Sequence, residues 1–267
     1  MVPGSVGYTL AMSDARVLHV AQTPYGRFEV VETMYGGRRA RVLYSGNRQA
    51  AQSGIPLDGQ LELLFDYNQR FLELAQGLQP ARVLLLGGGA CTLPAALLRV
   101  LPKVGIDVVE PNGELVGMAH EFFDVPEDER LQVFQTDGRS FLRDHSTRYD
   151  LIFVDVFENA SVPDDFRTVQ AFRALHDHLR AKGVLAMNII SGYYGPRSEV
   201  LRHVSAAARQ AFYGRVEIFL ASHGYSLWLP QNFVLTARKD GGESLQAQLR
   251  YGSVRPPEAH LHDVLED

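Results

Sequence analysis

From about residue 60 onward, short apolar runs alternate with helix-patterned stretches, and that alternation leaves few folds open. The runs are RVLLL (82–86), IDVVE (106–110), LQVFQ (131–135), DLIFVD (150–155) and GVLAMNII (183–190). Between them lie TLPAALLRVL, ELVGMAHEFF and FRTVQAFRALHDHLRA, with apolar residues at helical spacing. Continuous apolar strands joined by helices predict a parallel sheet covered on both faces, with right-handed crossovers. Ahead of the first run, QLELLFDYNQRFLELAQGL (60–78) predicts a helix through Leu61, Leu64, Phe65, Phe71 and Leu72. Behind the last, RVEIFLA (215–221) and NFVLTAR (232–238) predict an antiparallel hairpin at a sheet edge.

Residues 15–53 follow a different rhythm. ARVLHVA, GRFEVVET and RRARVLYS are rich in β-branched and aromatic residues, and the turns TPYG and MYGGR separate them. They predict a small antiparallel meander that leans on the larger domain, since so few strands are marginal alone. Arg38, Arg39 and Arg41 are expected in a solvated turn. The expected division is a β domain over 1–53, a Rossmann-like domain over 54–239, and a polar tail over 240–267. The tail is read as a short docked helix or as partly disordered.

With 26 Lys and Arg against 31 Asp and Glu, the net charge of −5 argues against non-specific nucleic-acid binding. The single cysteine, Cys91, excludes a disulfide framework and any multi-cysteine metal site. No apolar run approaches the roughly 18 residues needed to span a bilayer, and the start reads as no signal peptide. A cytoplasmic protein without a membrane partner is the expectation.

In an open α/β sheet, ligands bind beyond the carboxyl ends of the strands. The first run ends in Gly87-Gly88-Gly89, which reads either as a ligand-hugging loop or as a plain strand-to-helix turn. A dinucleotide fingerprint would want a further glycine where Thr92 stands, and this weakens a nicotinamide reading. The second run ends in Glu110, spaced to accept hydrogen bonds from two ribose hydroxyls, or else a solvated strand-end carboxylate. Asp137-Gly138 follows the third run and suits an adenine amino group, a helix cap, or both. Asp155 closes the fourth run, with Glu158 three residues on and the loop ENASVPDD behind it. A carboxylate there lies at a ligand's reacting end, or it caps the next turn. Taken together, the glycines and strand-end acids describe an adenosine-binding α/β domain of the type used by S-adenosylmethionine enzymes.

On these residues the sequence resembles the spermidine synthases, the polyamine aminopropyltransferases, from about residue 23 to residue 238. TPYGRFEVVE is similar to the family's opening hairpin, and VLLLGGG to its glycine loop. Ser45-Gly46-Asn47-Arg48-Gln49 resembles its Asp-Gly-x-x-Gln element, keeping Gly46 and Gln49. Phe65-Asp66-Tyr67 falls where the family has an acid and a substrate-lining Tyr. The resemblance implies an α/β, Rossmann-like S-adenosylmethionine-dependent transferase fold, with a seven-stranded mainly parallel sheet and a small N-terminal antiparallel β domain. It implies cofactor contacts from Gln49, Gly87, Gly88, Gly89, Glu110, Asp137 and Gly138, and amine contacts from Tyr67 and Glu158. Asp155 falls on the catalytic acid. Decarboxylated S-adenosylmethionine would be the co-substrate, a polyamine such as putrescine the acceptor, and a homodimer the assembly, with no metal.

Three departures mark a divergent branch. The family's glycine loop continues Asp-Gly, and here Ala90-Cys91 stands; that Asp helps hold the donor's aminopropyl amine. The family's Glu-x-Asp becomes Glu110-Pro111-Asn112, and its Asp-Ser-Ser-Asp-Pro becomes Asp155-Val156-Phe157-Glu158-Asn159. Methyl transfer from intact S-adenosylmethionine is therefore a second reading, and a catalytically idle adenosine-binding scaffold a third. His176/His178 and His260/His262 are spaced i,i+2, which does not align on one helix face and argues against a metal. Cys91 is read as a packing residue ahead of a nucleophile. Tyr225 and Trp228 are read as amine-lining or core.

Overall fold

The computed structural model describes residues 15–59, 63–158, 161–222, 225–247, 253–254 and 264–265. Four antiparallel strands form the N-terminal sheet in the order β1-β2-β3-β4: β1 (Arg16–Thr23), β2 (Gly26–Tyr35), β3 (Arg38–Ser45) and β4 (Ala50–Pro56). The first three match the expected meander. The sequence of β4, AAQSGIP, has no alternating pattern and gave no strand signal.

The second sheet comprises β5 (Arg82–Leu86), β6 (Gly105–Val109), β7 (Leu131–Phe134), β8 (Tyr149–Val154), β9 (Leu179–Ser191), β10 (Val216–Leu220) and β11 (Gln231–Arg238), with a two-residue β12 (Ser253–Val254) at its rim. Their order is β12-β10-β11-β9-β8-β5-β6-β7. The strands from β7 through β9 pair parallel, and β11, β10 and β12 pair antiparallel. This is the mainly parallel seven-stranded sheet expected, with the hairpin on its edge side and one short strand added from the tail.

Both faces are covered, and β5 shows how. Val83 and Leu85 enter one apolar cluster while Leu84 and Leu86 enter the other. On the first face, α1 (Asp66–Leu78), α2 (Thr92–Val100) and α3 (Gly113–Phe122) contribute Phe71, Leu97 and Met118. On the second, α4 (Gly138–Asp144), α5 (Val169–Asp177) and α6 (Glu199–Ala211) contribute Phe141, Phe172 and Leu201.

Two helices differ from expectation. α1 begins at Asp66, six residues after the predicted start at 60, because Phe65 is extended at φ −105° and ψ 133°. Leu61 lies outside the described residues. The helix α6, EVLRHVSAAARQA, was not singled out in the sequence although it is clearly one-sided, burying Leu201, Val204 and a run of alanines on one face. In the tail, Leu245 is buried and Leu265 O accepts a hydrogen bond from Val169 N at 3.0 Å. Among the described residues no helix is long and apolar enough to cross a membrane.

Among the described residues, the N-terminal sheet meets the larger domain at polar contacts from β3, β1 and β4. Arg41 Nη1 donates to Phe122 O at 2.7 Å. Asn112 Nδ2 donates to Thr23 Oγ1 at 3.2 Å, and Ala90 N to Ser53 Oγ at 3.1 Å. The last two lie beside the glycine loop.

Candidate active site

β5 and β8 are parallel neighbours with Leu86 opposite Val154, so Gly87 and Asp155 leave the sheet side by side. Asp155 N donates to Leu86 O at 2.8 Å, and Gly87 N to Val109 O at 2.9 Å. Gly87 has φ +90°, and a Cβ there would lie 2.2 Å from Asp155 O. Only glycine lets the loop and the strand end approach this closely.

Glu110 is buried and faces the same loop. Its Oε2 accepts from Gly88 N at 3.1 Å and Gly89 N at 2.9 Å, while Oε1 accepts from Asn112 N at 2.9 Å. Burial pushes this carboxyl above its ordinary pKa, against the pull of the three backbone N–H groups. Oε1 keeps a lone pair for a further donor while Oε2 already accepts two, so the fixed carboxylate suits a ribose hydroxyl at Oε1. Asn112 caps α3, accepting from Glu114 N, and ties the shelf to Thr23.

Asp137 caps α4 by accepting from Ser140 N at 2.8 Å, and its carboxyl is exposed. Hydrogen bonds from Ser140 hold it below the usual carboxylate range. A Cβ on Gly138 would meet Phe166 Cζ at 2.9 Å, so the loop behind Asp155 packs against this turn.

Asp155 is half-buried, and both of its oxygens are held. Tyr67 Oη, from α1, donates to Oδ2 at 2.9 Å, and Asn188 Nδ2, from β9, donates to Oδ1 at 3.0 Å. Desolvation raises the Asp155 pKa to about 6, and these two hydrogen bonds oppose the rise. The Tyr67 phenol is pushed well above its ordinary value, chiefly by burial and then by Asp155, so it remains a donor.

The other candidates lie less centrally. Gln49 is exposed in the turn before β4, and its Oε1 lies over Gly46; Ser53, four residues on, makes the bond to the glycine loop. Glu158 is exposed, its backbone paired with Ser161 at 2.8 and 2.9 Å, and Asn159 lies outside the described residues. Asp66 is exposed beside Tyr67. Ala90 is fully buried in the core cluster.

Cys91 is buried at φ 51°, and burial together with Glu110 pushes its thiol up to about 12. A thiol held that firmly packs and does not attack. The His178 ring is within 2.8 Å of both Ala174 O and His145 O, a structural role. His260 and His262 lie outside the described residues. Tyr225 and Trp228 are exposed rather than core, with the Trp228 and Tyr194 ring centroids 5.5 Å apart.

Asn188 and Ser53 escaped the sequence reading. Asn188 carried a signal, as the polar residue inside the run VLAMNII. Ser53 carried none, because only the docking of the two sheets gives it a partner.

Comparison with known proteins matches residues 70–222 to the spermine/spermidine synthase domain. A probable polyamine aminopropyl transferase of Bifidobacterium longum is 32% identical over 126 residues, 46% of this chain and 28% of that protein. A polyamine aminopropyltransferase of Chromobacterium violaceum is 27% identical over 187 residues, 69% of each protein. The match thus spans under a third of the first relative's length and about two thirds of the second's. Among solved structures, a probable spermidine synthase from Corynebacterium glutamicum superposes with a TM-score of 0.72 at 22% identity, covering 85% of this chain and 82% of that one. Human methyltransferase-like protein 13 in complex with SAH superposes at 0.57 with 19% identity, covering 75% of this chain and 99% of that one. The structural likenesses establish the shared fold.

Proposed function

The chain belongs to the spermine/spermidine synthase family, and we propose that it moves an aminopropyl group from decarboxylated S-adenosylmethionine to a small polyamine such as putrescine. The observation that carries this reading is Asp155, a carboxylate held on both oxygens beside the glycine loop.

The glycine loop and Glu110 bind the donor's adenosine, with Asp137 and Gly138 at the base and Gln49 closing from the N-terminal sheet. The donor's sulfonium then lies near Asp155. An alkylamine with a pKa of about 10.4 is only about one part in 10³ neutral at pH 7, so the acceptor needs help to attack. Asp155 hydrogen-bonds the amine and takes its proton as nitrogen bonds to the methylene carbon beside sulfur. The carbon–sulfur bond breaks, its electron pair neutralises the sulfonium, and methylthioadenosine leaves. A base with a pKa of about 6 is mostly ionised at pH 7 and close enough to it to accept a proton in the transition state. Tyr67 and Glu158 grip the amine beyond the reacting nitrogen. A cytoplasmic homodimer acting on free polyamine, with no nucleic-acid or membrane partner, is the setting this reading takes.

One specific observation favours a second reading, methyl transfer: Ala90 supplies no carboxylate for the donor's ammonium. The test is turnover with each donor and several diamines, with products identified by mass. Methylthioadenosine formed only with decarboxylated donor and amine supports aminopropyl transfer. S-adenosylhomocysteine from intact donor would replace it with the methyl reading, and binding without turnover with the idle scaffold.

A further inference from the structure

Asn188 interrupts one of the most apolar strands of the protein. Its neighbours in β9, Leu185, Ala186, Met187 and Ile189, are fully buried, and Asn188 itself is 2% exposed. Burying an amide costs stability unless its hydrogen bonds are made. Here Nδ2 reaches Asp155 Oδ1, but the Asn188 Oδ1 is buried and has no hydrogen-bond partner among the described residues. A leucine would fill the same space without that loss. The return on the amide is therefore its bond to Asp155, a charge-assisted bond when the carboxylate is ionised.

We propose that Asn188 is a positioning residue for aminopropyl transfer, fixing the rotation of the Asp155 carboxylate so that its basic lone pair points at the acceptor amine. A single donor would leave a carboxylate free to swing about its Cβ–Cγ bond. Two donors from two rigid elements, α1 and β9, pin both oxygens. The two are not equivalent, because a phenolic O–H rotates about its C–O bond whereas the Asn188 amide is locked inside the sheet. The inference rests on the function proposed above.

The groups acting on Asp155 are few. Tyr67 from α1 and Asn188 from β9 favour its ionised form, and burial opposes it. Glu158 on its own loop is exposed, and Glu110 beyond β6 acts on Cys91.

The experiment compares Asn188→Leu and Asn188→Asp with the parent chain. Asn188→Leu removes the donor and the unpartnered oxygen at nearly constant volume. We expect the acidic limb of the kcat/KM pH profile to move up by roughly one pH unit, and kcat to fall about 10- to 100-fold. Methylthioadenosine affinity should hold, and Tm should hold or rise. Asn188→Asp sets a second carboxylate beside the first and should move the limb further in the same direction. Carbon-13 NMR titration of the Asp155 carboxyl reads that shift without turnover. If the parent aminopropylates no amine, the proposed function fails while the NMR arm still decides about Asn188. An unmoved carboxyl titration in both variants, with Tm lowered, would make Asn188 a structural amide and overturn the proposal.

Discussion

Gly87 and Asp155 touch through their backbones: a Cβ on Gly87 would sit 2.2 Å from Asp155 O. The turn proposed to bound the nucleoside and the strand end proposed to carry the base are therefore packed against each other. Gly87→Ala should damage both together, because φ +90° is also a region L side chains rarely adopt. We expect methylthioadenosine affinity and kcat each to fall on the order of tenfold or more. Calorimetry and steady-state kinetics on the same preparation check this. A drop in one with the other intact would break the coupling.

Glu110→Gln keeps the side chain's size and removes its charge. The variant should weaken methylthioadenosine binding by about 1–3 kcal/mol, since a charge-assisted hydrogen bond becomes a neutral one. An unchanged dissociation constant in calorimetry would remove Glu110 from the ribose.

Much of this was legible in the sequence, for identifiable reasons. The strands carrying Gly87, Glu110 and Asp155 are buried on both faces, so their apolar runs stand out, and their polar ends mark the ligand side. Tyr67 came from a family likeness alone; its bond to Asp155 spans 88 residues of sequence and has no local signature. β4 was missed because its Ala, Ser and Gly bury little apolar area and blur its alternation. Ser53 was missed for a related reason, as its role exists only where the two sheets dock.

The pH dependence follows from the raised pKa of Asp155. With Asp155 as the proposed base, activity needs its ionised form, so kcat/KM should climb with an acidic limb centred near 6. For stability the sign is opposite. The native pKa lies above the unfolded value of 3.8, so the folded state holds this proton more tightly. Asp155 therefore favours folding least above about pH 6, and Asp155→Asn should match or exceed the parent's Tm at pH 8. A lower Tm at pH 8 would contradict this assignment of the titration.

Position 90 tests donor choice in a buried setting. Ala90 is fully buried, so Ala90→Asp forces a carboxylate out of water and should lower Tm in the free protein. Decarboxylated donor brings an ammonium to that carboxylate and should recover more of the lost Tm than intact donor does. Thermal shifts with each donor at the same multiple of its affinity for the parent protein measure the difference. Equal recovery with both donors would show that position 90 does not face the donor's amine.

The most direct test is methylthioadenosine formation in a single turnover, with enzyme in excess of donor and amine saturating, for the parent and for Asp155→Asn. The substitution keeps the shape and removes the base, so the chemical step should slow by about 10²–10⁴-fold while donor affinity changes far less. A near-parental rate in Asp155→Asn would contradict the assignment of Asp155 as the base.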